Sequence, residues 1–360
     1  ALLESKEKFS TKRKTAIEED YDSIDMEDLI PNEPVVVTMS HRGYVKRVPV
    51  RTYEKQNRGG KGKISANTHD DDFIESFFVS DTHDTILFIT DKGQLYWLKV
   101  YRIPEASRTA IGKAVVNLIN LSPDEKIMAT ITTKDFNPDK SLAFFTKNGI
   151  IKRTNLSEFK NIRSVGVKAI NLDEDDALVT AKIISADIKE ILVVTYEGMC
   201  VRFGVENVRE IGRVARGVTA IKFKMPKDYV IGATAIVDEN EEILSVSEKG
   251  IGKRTEVNEY RITNRGSKGV IAMKLTAKTG KLVGIVNVDE KMDLMVLTSS
   301  GKMIRVDMQS IRKAGRATSG VIIVNVDDDK VVSIARCPKE EKELDEIGTE
   351  DDLSGENSLE

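Results

Sequence analysis

One pattern of hydrophobic and polar residues recurs six times along the chain. In each copy an apolar run rich in β-branched residues precedes a short polar turn that ends in glycine, and a second, alternating run follows. The copies are VVVTMSHRGYVKR, TILFITDKGQLYW, SLAFFTKNGIIKR, EILVVTYEGMCVR, EILSVSEKGIGKR and DLMVLTSSGKMIR. This pattern is typical of a β-hairpin whose turn needs the left-handed backbone conformation that glycine adopts freely. The sequence therefore predicts six hairpins.

The spacing of the repeats predicts a ring of small sheets. The turn glycines, 50, 56, 49, 52 and 51 residues apart and each preceded at three residues by serine or threonine, are Gly43, Gly93, Gly149, Gly198, Gly250 and Gly301. A second glycine follows 19 residues later, or 17 in the third repeat, at Gly62, Gly112, Gly166, Gly217, Gly269 and Gly320. Two more apolar runs come after it, so each repeat holds about four strands. We predict an all-β, six-bladed, propeller-like disc of four-stranded repeats, with standard kelch or WD propellers as the alternative.

Composition limits the classes of function. The chain has 360 residues, of which 40% are hydrophobic, and this is enough for a folded core. No window approaches the roughly 18 uncharged apolar residues of a membrane helix, and no signal peptide is visible, so we expect a cytoplasmic protein without a membrane partner. Cys200 and Cys337 form no C-x-x-C motif and the three histidines are scattered. We therefore expect no disulfide, no metal site and no catalytic residues.

Charge is segregated along the chain. The net charge of −3 for the whole chain, with −5 in residues 1–34 and −8 in residues 338–360, leaves +10 for residues 35–337. A basic body between acidic ends indicates a polyanion partner. Residues 340–360 contain ten acids, one base and few apolar residues, which predicts a disordered tail that competes with that partner or serves only solubility.

Basic residues recur at fixed positions in the repeats. Four residues after the turn glycine stand Arg47, Arg153, Arg202, Arg254 and Arg305, with Trp97 in the second repeat, and four before the second glycine stand Arg58, Arg108, Arg213, Arg265 and Arg316. Together with Lys63 they predict a basic belt that binds phosphates. With only 6% aromatic residues for stacking on single strands, a nucleic-acid duplex is favoured over a single strand as the partner. The alternative is that a recurring strand-end arginine packs its stem and pairs with an acidic neighbour in each blade.

One segment differs from its counterparts in the other repeats. Residues 53–63 read YEKQNRGGKGK, in which three glycines in four positions let backbone N–H groups approach a phosphate. The segment matches neither a Walker A loop nor the dinucleotide-binding glycine motif. A solvated linker is the alternative on composition alone.

This segment carries a family resemblance. The box QNRGGKG, formed by Gln56, Asn57, Arg58, Gly59, Gly60, Lys61 and Gly62, closely resembles the seven-residue box in the C-terminal domain of DNA gyrase A subunits. The six repeats look like the six blades of that domain's β-pinwheel, and KFSTKRKTAIEED resembles the linker that leaves the gyrase breakage-reunion domain. Asn57 departs from the family pattern, since many boxes carry a basic residue there.

The resemblance implies a function and a domain organisation. Residues 1–34 would be the linker from the breakage-reunion domain, 35–337 the six-bladed β-pinwheel that wraps DNA, and 338–360 the acidic tail. The domain would bend duplex DNA around a positive rim, the box would close the wrap, and ATP-driven strand passage by the whole enzyme would then introduce negative supercoils.

The same resemblance implies partners and cofactors. The partners would be double-stranded DNA, the breakage-reunion domain that precedes this domain in the same polypeptide, and the gyrase B subunit in an A2B2 heterotetramer, close to the bacterial nucleoid. This domain would be a noncatalytic part of an isomerase, because ATP and magnesium belong to the rest of the enzyme. Two alternatives stay open, namely the equivalent domain of topoisomerase IV, which usually lacks an intact box, and a protein-binding propeller scaffold.

Overall fold

The computed structural model describes residues 26–40, 42–53, 63–64, 74–161 and 165–339. The chain divides into two compact units, residues 1–32 and 33–360. The described part of the first unit contains the 3-10 helix Met26–Leu29. Most of the predicted linker and tail, and the whole box, lie outside the described residues.

The second unit is all-β, and its described part contains 24 strands and seven short 3-10 helices. The strands are β1 Pro34–Ser40, β2 Tyr44–Pro49, β3 Lys63–Ile64, β4 Ile74–Asp81, β5 Thr85–Thr90, β6 Gln94–Lys99, β7 Lys113–Ala114, β8 Ile127–Thr133, β9 Ser141–Thr146, β10 Ile150–Asn155, β11 Val167–Lys168, β12 Leu178–Ile184, β13 Glu190–Thr195, β14 Met199–Gly204, β15 Val218–Thr219, β16 Val230–Ile236, β17 Glu242–Ser247, β18 Ile251–Glu256, β19 Val270–Ile271, β20 Leu282–Asn287, β21 Met292–Thr298, β22 Lys302–Asp307, β23 Val321–Ile322 and β24 Val331–Pro338. The 3-10 helices are Val50–Thr52, Val100–Arg102, Val115–Asn117, Leu156–Phe159, Val205–Asn207, Val257–Glu259 and Met308–Ser310.

The six predicted hairpins are confirmed, and the recurring hydroxyl closes their turns. In the third hairpin Gly149 has φ +83° and donates its N–H to the Thr146 carbonyl at 3.0 Å. The Thr146 hydroxyl accepts the N–H of Ile150, the residue after the glycine, at 3.1 Å. The hydroxyl accepts the equivalent N–H in five of the six hairpins, whereas in the fifth the Ser247 hydroxyl donates to the Ile251 carbonyl at 3.0 Å. Either bond pairs the hydroxyl with the backbone at the turn, which explains why serine or threonine stands at this position.

The strands of each repeat are divided between two sheets. The first sheet has the order β4-β1-β2-β7, in which β7 belongs to the second repeat, and every later sheet likewise takes its fourth strand from the next repeat. The sixth sheet, β24-β21-β22-β3, takes β3 from the first repeat and so closes the ring. The expectation of two full strands after the second glycine is therefore corrected, because the first of these runs gives only a two-residue strand on the neighbouring blade.

Apolar side chains fill the spaces between neighbouring sheets. Val35 and Val37 of β1 pack with Ile86 and Phe88 of β5 between the first two blades, and equivalent clusters occupy the other interfaces. The third long strand of each repeat lies innermost, and these strands are β4, β8, β12, β16, β20 and β24. Each sheet thus buries both faces on its neighbours, as the repeat pattern predicts.

Between the 3-10 helix that follows each hairpin and the next short strand, the chain crosses to the outer strand of the preceding blade. We call these segments crossing loops, and the structure describes four of them throughout, at residues 103–112, 208–217, 260–269 and 311–320. Arg47 of β2 forms a parallel bridge with Glu105 of the second repeat's loop, and Arg254 forms one with Lys313. The crossing loops therefore cover the outer edges of the sheets, which would otherwise present unpaired backbone groups.

The predicted belt of strand arginines lies between the blades and not on the surface. The side chains of Arg47, Arg153, Arg202, Arg254 and Arg305 are only 1% to 18% exposed, and each pairs with a carboxylate. Arg202 donates to the carbonyl of Tyr260, which ends the next repeat's 3-10 helix, at 2.9 Å, and Arg305 donates to that of Tyr53 at 3.4 Å. These guanidinium groups satisfy carbonyls at helix ends that have no partner within the helix. The geometry thus corrects the expectation of an exposed belt and matches the alternative of a structural pair in each blade.

Three lysines have the same structural use in alternate blades. Lys46, Lys152 and Lys253 each follow the turn glycine by three residues and are at most 1% exposed. Lys46 Nζ donates to the Ala110 carbonyl at 2.7 Å, and Lys253 Nζ donates to the Gly315 carbonyl at 2.6 Å. Burial lowers the pKa of all three ammonium groups to about 8. Each lysine therefore fixes a crossing loop to the blade beneath it.

Two features are absent from the described residues. No helix among them is both long and apolar enough to cross a bilayer. In the same part of the chain, no three His, Cys, Asp or Glu side chains gather as a metal ion would require.

Arg305 offers a test of the interblade contacts. Its guanidinium lies 2.9 Å from buried Asp293 and also donates to the Pro338 carbonyl at 2.7 Å. We expect Arg305→Met to lower the free energy of unfolding by about 3–5 kcal/mol, because it leaves the Asp293 carboxylate buried without its cation. Urea denaturation measures the change. The exposed Arg312→Met is the matched control and should change stability by less than about 0.5 kcal/mol; equal effects of the two variants would contradict the interblade role.

The buried lysines predict an unusual dependence of stability on pH. The pKa of Lys253 is about 8 in the folded chain against its ordinary 10.5, so the folded state releases this proton first. Stability contributed at this site therefore rises with pH between these values, by at most about 1.4 kcal/mol per pH unit. Urea denaturation from pH 7 to 10 should show the wild type gaining stability relative to Lys253→Met, while the exposed control Lys274→Met keeps a constant difference. A constant difference for Lys253→Met as well would be the contrary result.

Candidate nucleic-acid interface

The crossing loops form the outer perimeter of the ring because they lie over the outermost long strands. Each loop ends at the second glycine, which must approach the neighbouring blade closely. Gly112 has φ +97°, and a Cβ there would lie 2.5 Å from the carbonyl oxygen of Val45 on β2. Only glycine can occupy such a position without moving backbone, so this residue fixes where each loop docks.

Three of the arginines four residues before the second glycine hold crossing loops in place. Arg213, Arg265 and Arg316 are half-buried and reach back to the 3-10 helix of the preceding repeat. Arg265 Nε donates to the Asn207 carbonyl at 3.2 Å, and Arg316 Nε donates to that of Glu259 at 3.1 Å. Arg213 lies 3.8 Å from the Glu158 carboxylate. Unlike the strand arginines, these side chains keep part of their surface on the perimeter.

Arg108 occupies the equivalent position in the second repeat. It is half-buried, and its charge acts on Tyr53, the residue before the box segment. Burial nevertheless raises the pKa of the Tyr53 phenol to about 12, which keeps it neutral. Arg108 therefore lies next to the point where the described chain stops before the box.

The predicted box lies outside the described residues, but both of its flanks are placed. On one side Tyr53 accepts the hydrogen bond from Arg305, and on the other side Lys63 and Ile64 form β3 against β22, in the register Met303 to Lys63. The structure describes the backbone of Lys63 at this closure and not its side chain. The box segment therefore connects the two contacts that close the ring between the sixth and first blades.

A further set of exposed arginines is not among the residues predicted from the sequence pattern. Arg209, Arg261 and Arg312 stand eight residues before the second glycine in the last three repeats, and all three are exposed on crossing loops. No ion pair to any of the three is found among the described residues. Their recurrence at one distance from the second glycine is the feature of the sequence that identifies them.

Charge is uneven around the perimeter. The crossing loops 208–217, 260–269 and 311–320 carry net charges of +2, +3 and +3, whereas loop 103–112 is neutral. These three loops lie on the third, fourth and fifth blades, and the segment that contains the box reaches the sixth. We call the three loops the basic sector. Its free guanidinium groups, spaced by one blade each, present a row of donors suited to phosphates.

Some cations in this sector are neutralised within the protein. Arg216 pairs with Asp173, and Lys313 lies 2.6 Å from Glu242 and 3.1 Å from Glu256. The hydrogen bond from the Arg216 guanidinium lowers the pKa of the Asp173 carboxyl below its usual range. The cations open to a ligand are therefore chiefly Lys268 and the exposed parts of the half-buried arginines, together with Arg209, Arg261 and Arg312.

Each of the six blades matches the family described as the DNA gyrase C-terminal domain, beta-propeller. The matched residues are 34–81, 84–134, 140–185, 189–236, 241–289 and 293–338. The segments follow the repeats, so each match begins near the first strand of a hairpin and ends in the innermost strand.

Two curated relatives that match most of the chain are both DNA gyrase A subunits. The DNA gyrase A subunit of Campylobacter fetus is 63% identical over 97% of this chain and 44% of its own length. That of Helicobacter pylori (strain ATCC 700392 / 26695) is 60% identical over 95% of this chain and 41% of its own length. The chain thus spans less than half the length of the relatives it matches.

Solved structures agree with the fold. A DNA gyrase A C-terminal domain superposes with a TM-score of 0.77 at 28% identity, covering 84% of this chain and 99% of that one. The C-terminal domain of a DNA topoisomerase IV superposes with a TM-score of 0.63 at 26% identity, covering 86% and 94%. With the six blade-by-blade matches and relatives at 60% identity or more, the chain belongs to the family of the C-terminal β-propeller domain of DNA gyrase A.

Proposed function

We propose that this domain binds duplex DNA without sequence specificity and bends it over the basic sector. The observation that carries the proposal is the row of exposed arginines, Arg209, Arg261 and Arg312, on three successive crossing loops. Contacts to phosphates at one level of consecutive blades would guide the duplex along the perimeter. They carry no information about base sequence.

The energetics of bending support many contacts in place of one pocket. A duplex that follows the perimeter of a six-bladed ring must bend to a radius of curvature far below the DNA persistence length of roughly 50 nm. This bending costs several kcal/mol. Each phosphate contact releases counterions and so offsets part of this cost. The strand arginines lie between the blades and hold the ring together, so the crossing loops on the perimeter are left to contact DNA.

We further propose that the box, residues 56–62, anchors the end of the wrapped duplex. The basic sector ends on the fifth blade, and the box segment starts and ends at contacts with the sixth. A duplex that follows the sector would therefore reach the box next. The candidate box residues, including Arg58 and Lys61, remain a prediction because they lie outside the described residues.

In the whole enzyme, this wrap would present a nearby duplex segment for strand passage. The domain itself would be noncatalytic, and negative supercoiling would require the breakage-reunion domain, the gyrase B subunit in an A2B2 assembly, ATP and magnesium, in the bacterial cytoplasm. The intact QNRGGKG box favours this function over that of the decatenating topoisomerase IV domain. A protein-binding scaffold would lack the salt-dependent DNA affinity that we expect.

The basic sector is tested by removing its three exposed guanidinium groups. Replacing Arg209, Arg261 and Arg312 together by glutamine should weaken duplex binding and flatten its dependence on salt, by about 0.9 in the logarithmic slope for each lost phosphate contact. Filter binding of plasmid DNA from low to high salt measures both effects. The control Lys189→Gln changes an exposed lysine outside the crossing loops and should leave the slope unchanged. If the triple variant keeps the wild-type slope, the sector does not bind DNA.

The second prediction separates wrapping from binding. Arg58→Ala with Lys61→Ala should leave most of the duplex affinity intact, because the box supplies few of the contacts, yet abolish supercoiling by the reconstituted enzyme. Relaxation without ATP should survive. Lys189→Gln again serves as control, and gel analysis of plasmid topology gives the result. Supercoiling at the wild-type rate would identify the box as a plain linker.

A further inference from the structure

The innermost strands surround a cavity on the axis of the ring. It has a volume of about 610 Å³ and is lined by residues of β4, β8, β12, β20 and β24. The proposed DNA path follows the outside of the ring, so this cavity has no part in it. Its lining is therefore open to a separate interpretation.

Two cations line this cavity from opposite sides of the ring. Lys182 belongs to β12 of the third blade and Arg336 to β24 of the sixth. Lys182 is half-buried, whereas Arg336 is exposed to the cavity solvent. Within the described part of the chain, neither side chain has an ion pair or a hydrogen bond.

The carboxylates that line the cavity have partners other than the two cations. Asp81 lies 3.3 Å from Lys134 Nζ. Asp84 accepts hydrogen bonds from the Ser80 hydroxyl at 2.7 Å and from the Asp81 N–H at 3.2 Å. The two cations therefore face one another without a carboxylate of the described chain assigned to either.

The electrostatics at Lys182 agree with this geometry. Burial lowers its pKa to about 8, and the charge of Arg336 acts in the same direction, with no carboxylate opposing the two effects. Like charges held together in a partly dehydrated cavity disfavour the protonated state until a counter-charge arrives. Thr130 and Thr132 line the same cavity, and a threonine hydroxyl is able to donate a hydrogen bond to an anion. The hydroxyl of Thr180, a third lining residue, donates to the Ala181 carbonyl at 3.4 Å.

We propose that the central cavity binds a small oxyanion of the phosphate class between Lys182 and Arg336. A tetrahedral dianion has enough oxygens to accept from the ammonium, the guanidinium and a threonine hydroxyl at once. Because the two cations come from opposite blades, the bound anion would connect the third and sixth blades across the axis. Binding would therefore stabilise the closed ring.

The test uses the full chain and inorganic phosphate. Isothermal titration calorimetry against chloride at matched ionic strength should detect binding, and thermal unfolding should shift upward with phosphate. Lys182→Met and Arg336→Gln should each weaken phosphate binding by about tenfold or more, as loss of a charged hydrogen bond predicts. The exposed Lys291→Met is the matched control and should bind as the wild type does. Wild-type phosphate affinity in both cavity variants would overturn the proposal.

A second arm excludes the perimeter as the phosphate site. Saturating the protein with duplex DNA should leave phosphate binding intact, and Arg336→Gln, whose side chain supports no packing, should keep wild-type circular dichroism and duplex affinity. Displacement of phosphate by DNA would assign the anion to the basic sector and overturn the proposal. The cavity site does not depend on the proposed DNA path, so a failure of either proposal leaves the other to be judged by its own result.

Discussion

The exchange of a strand between neighbouring repeats is the constraint on which this structure depends. A repeat by itself supplies three long strands, and its outer strand would expose a row of backbone donors and acceptors. The next repeat covers that edge with a two-residue strand and a crossing loop, as β7 covers β2. In four of the blades an arginine of the outer strand, such as Arg47 or Arg202, then fastens the loop by donating to the carbonyl that ends the adjacent 3-10 helix. No blade is complete without a strand from another repeat.

This arrangement explains why similar arginines have different uses. An arginine four residues after the turn glycine lies on an outer strand that the next repeat covers, so its side chain is enclosed by the contact it helps to make. An arginine on the crossing loop lies outside that contact. Arg305 is 1% exposed for this reason, whereas Arg312, only seven residues later, is exposed. The structural and the proposed DNA-binding cations thus belong to two concentric layers.

The sequence pattern was sufficient to predict the hairpins and the ring, but it did not predict which arginines lie between the blades and which lie on the perimeter. Alternation and the turn glycines depend on local backbone geometry, so residues such as Gly149 and Thr146 identify their turns directly. The direction of Arg202 depends on which element covers its strand, and that element comes from another repeat. The short strand Val321–Ile322 could not be told from a longer one, because apolarity alone does not say how many residues pair. The missed Arg209, Arg261 and Arg312 were visible as a repeated offset, whereas the facing of Lys182 and Arg336 required the ring itself.

Closure by β3 has a consequence for synthesis on the ribosome. As each later repeat emerges, it covers the blade made just before it, so the growing chain leaves one outer strand exposed at a time. The sixth sheet is different, because its fourth strand was made first and pairs with β22, more than 200 residues away in sequence. Bringing such distant segments together is slow, since a long loop must close before any contact forms. β3 therefore has no partner strand until the last blade exists, and the ring becomes complete only when the sixth repeat has been made.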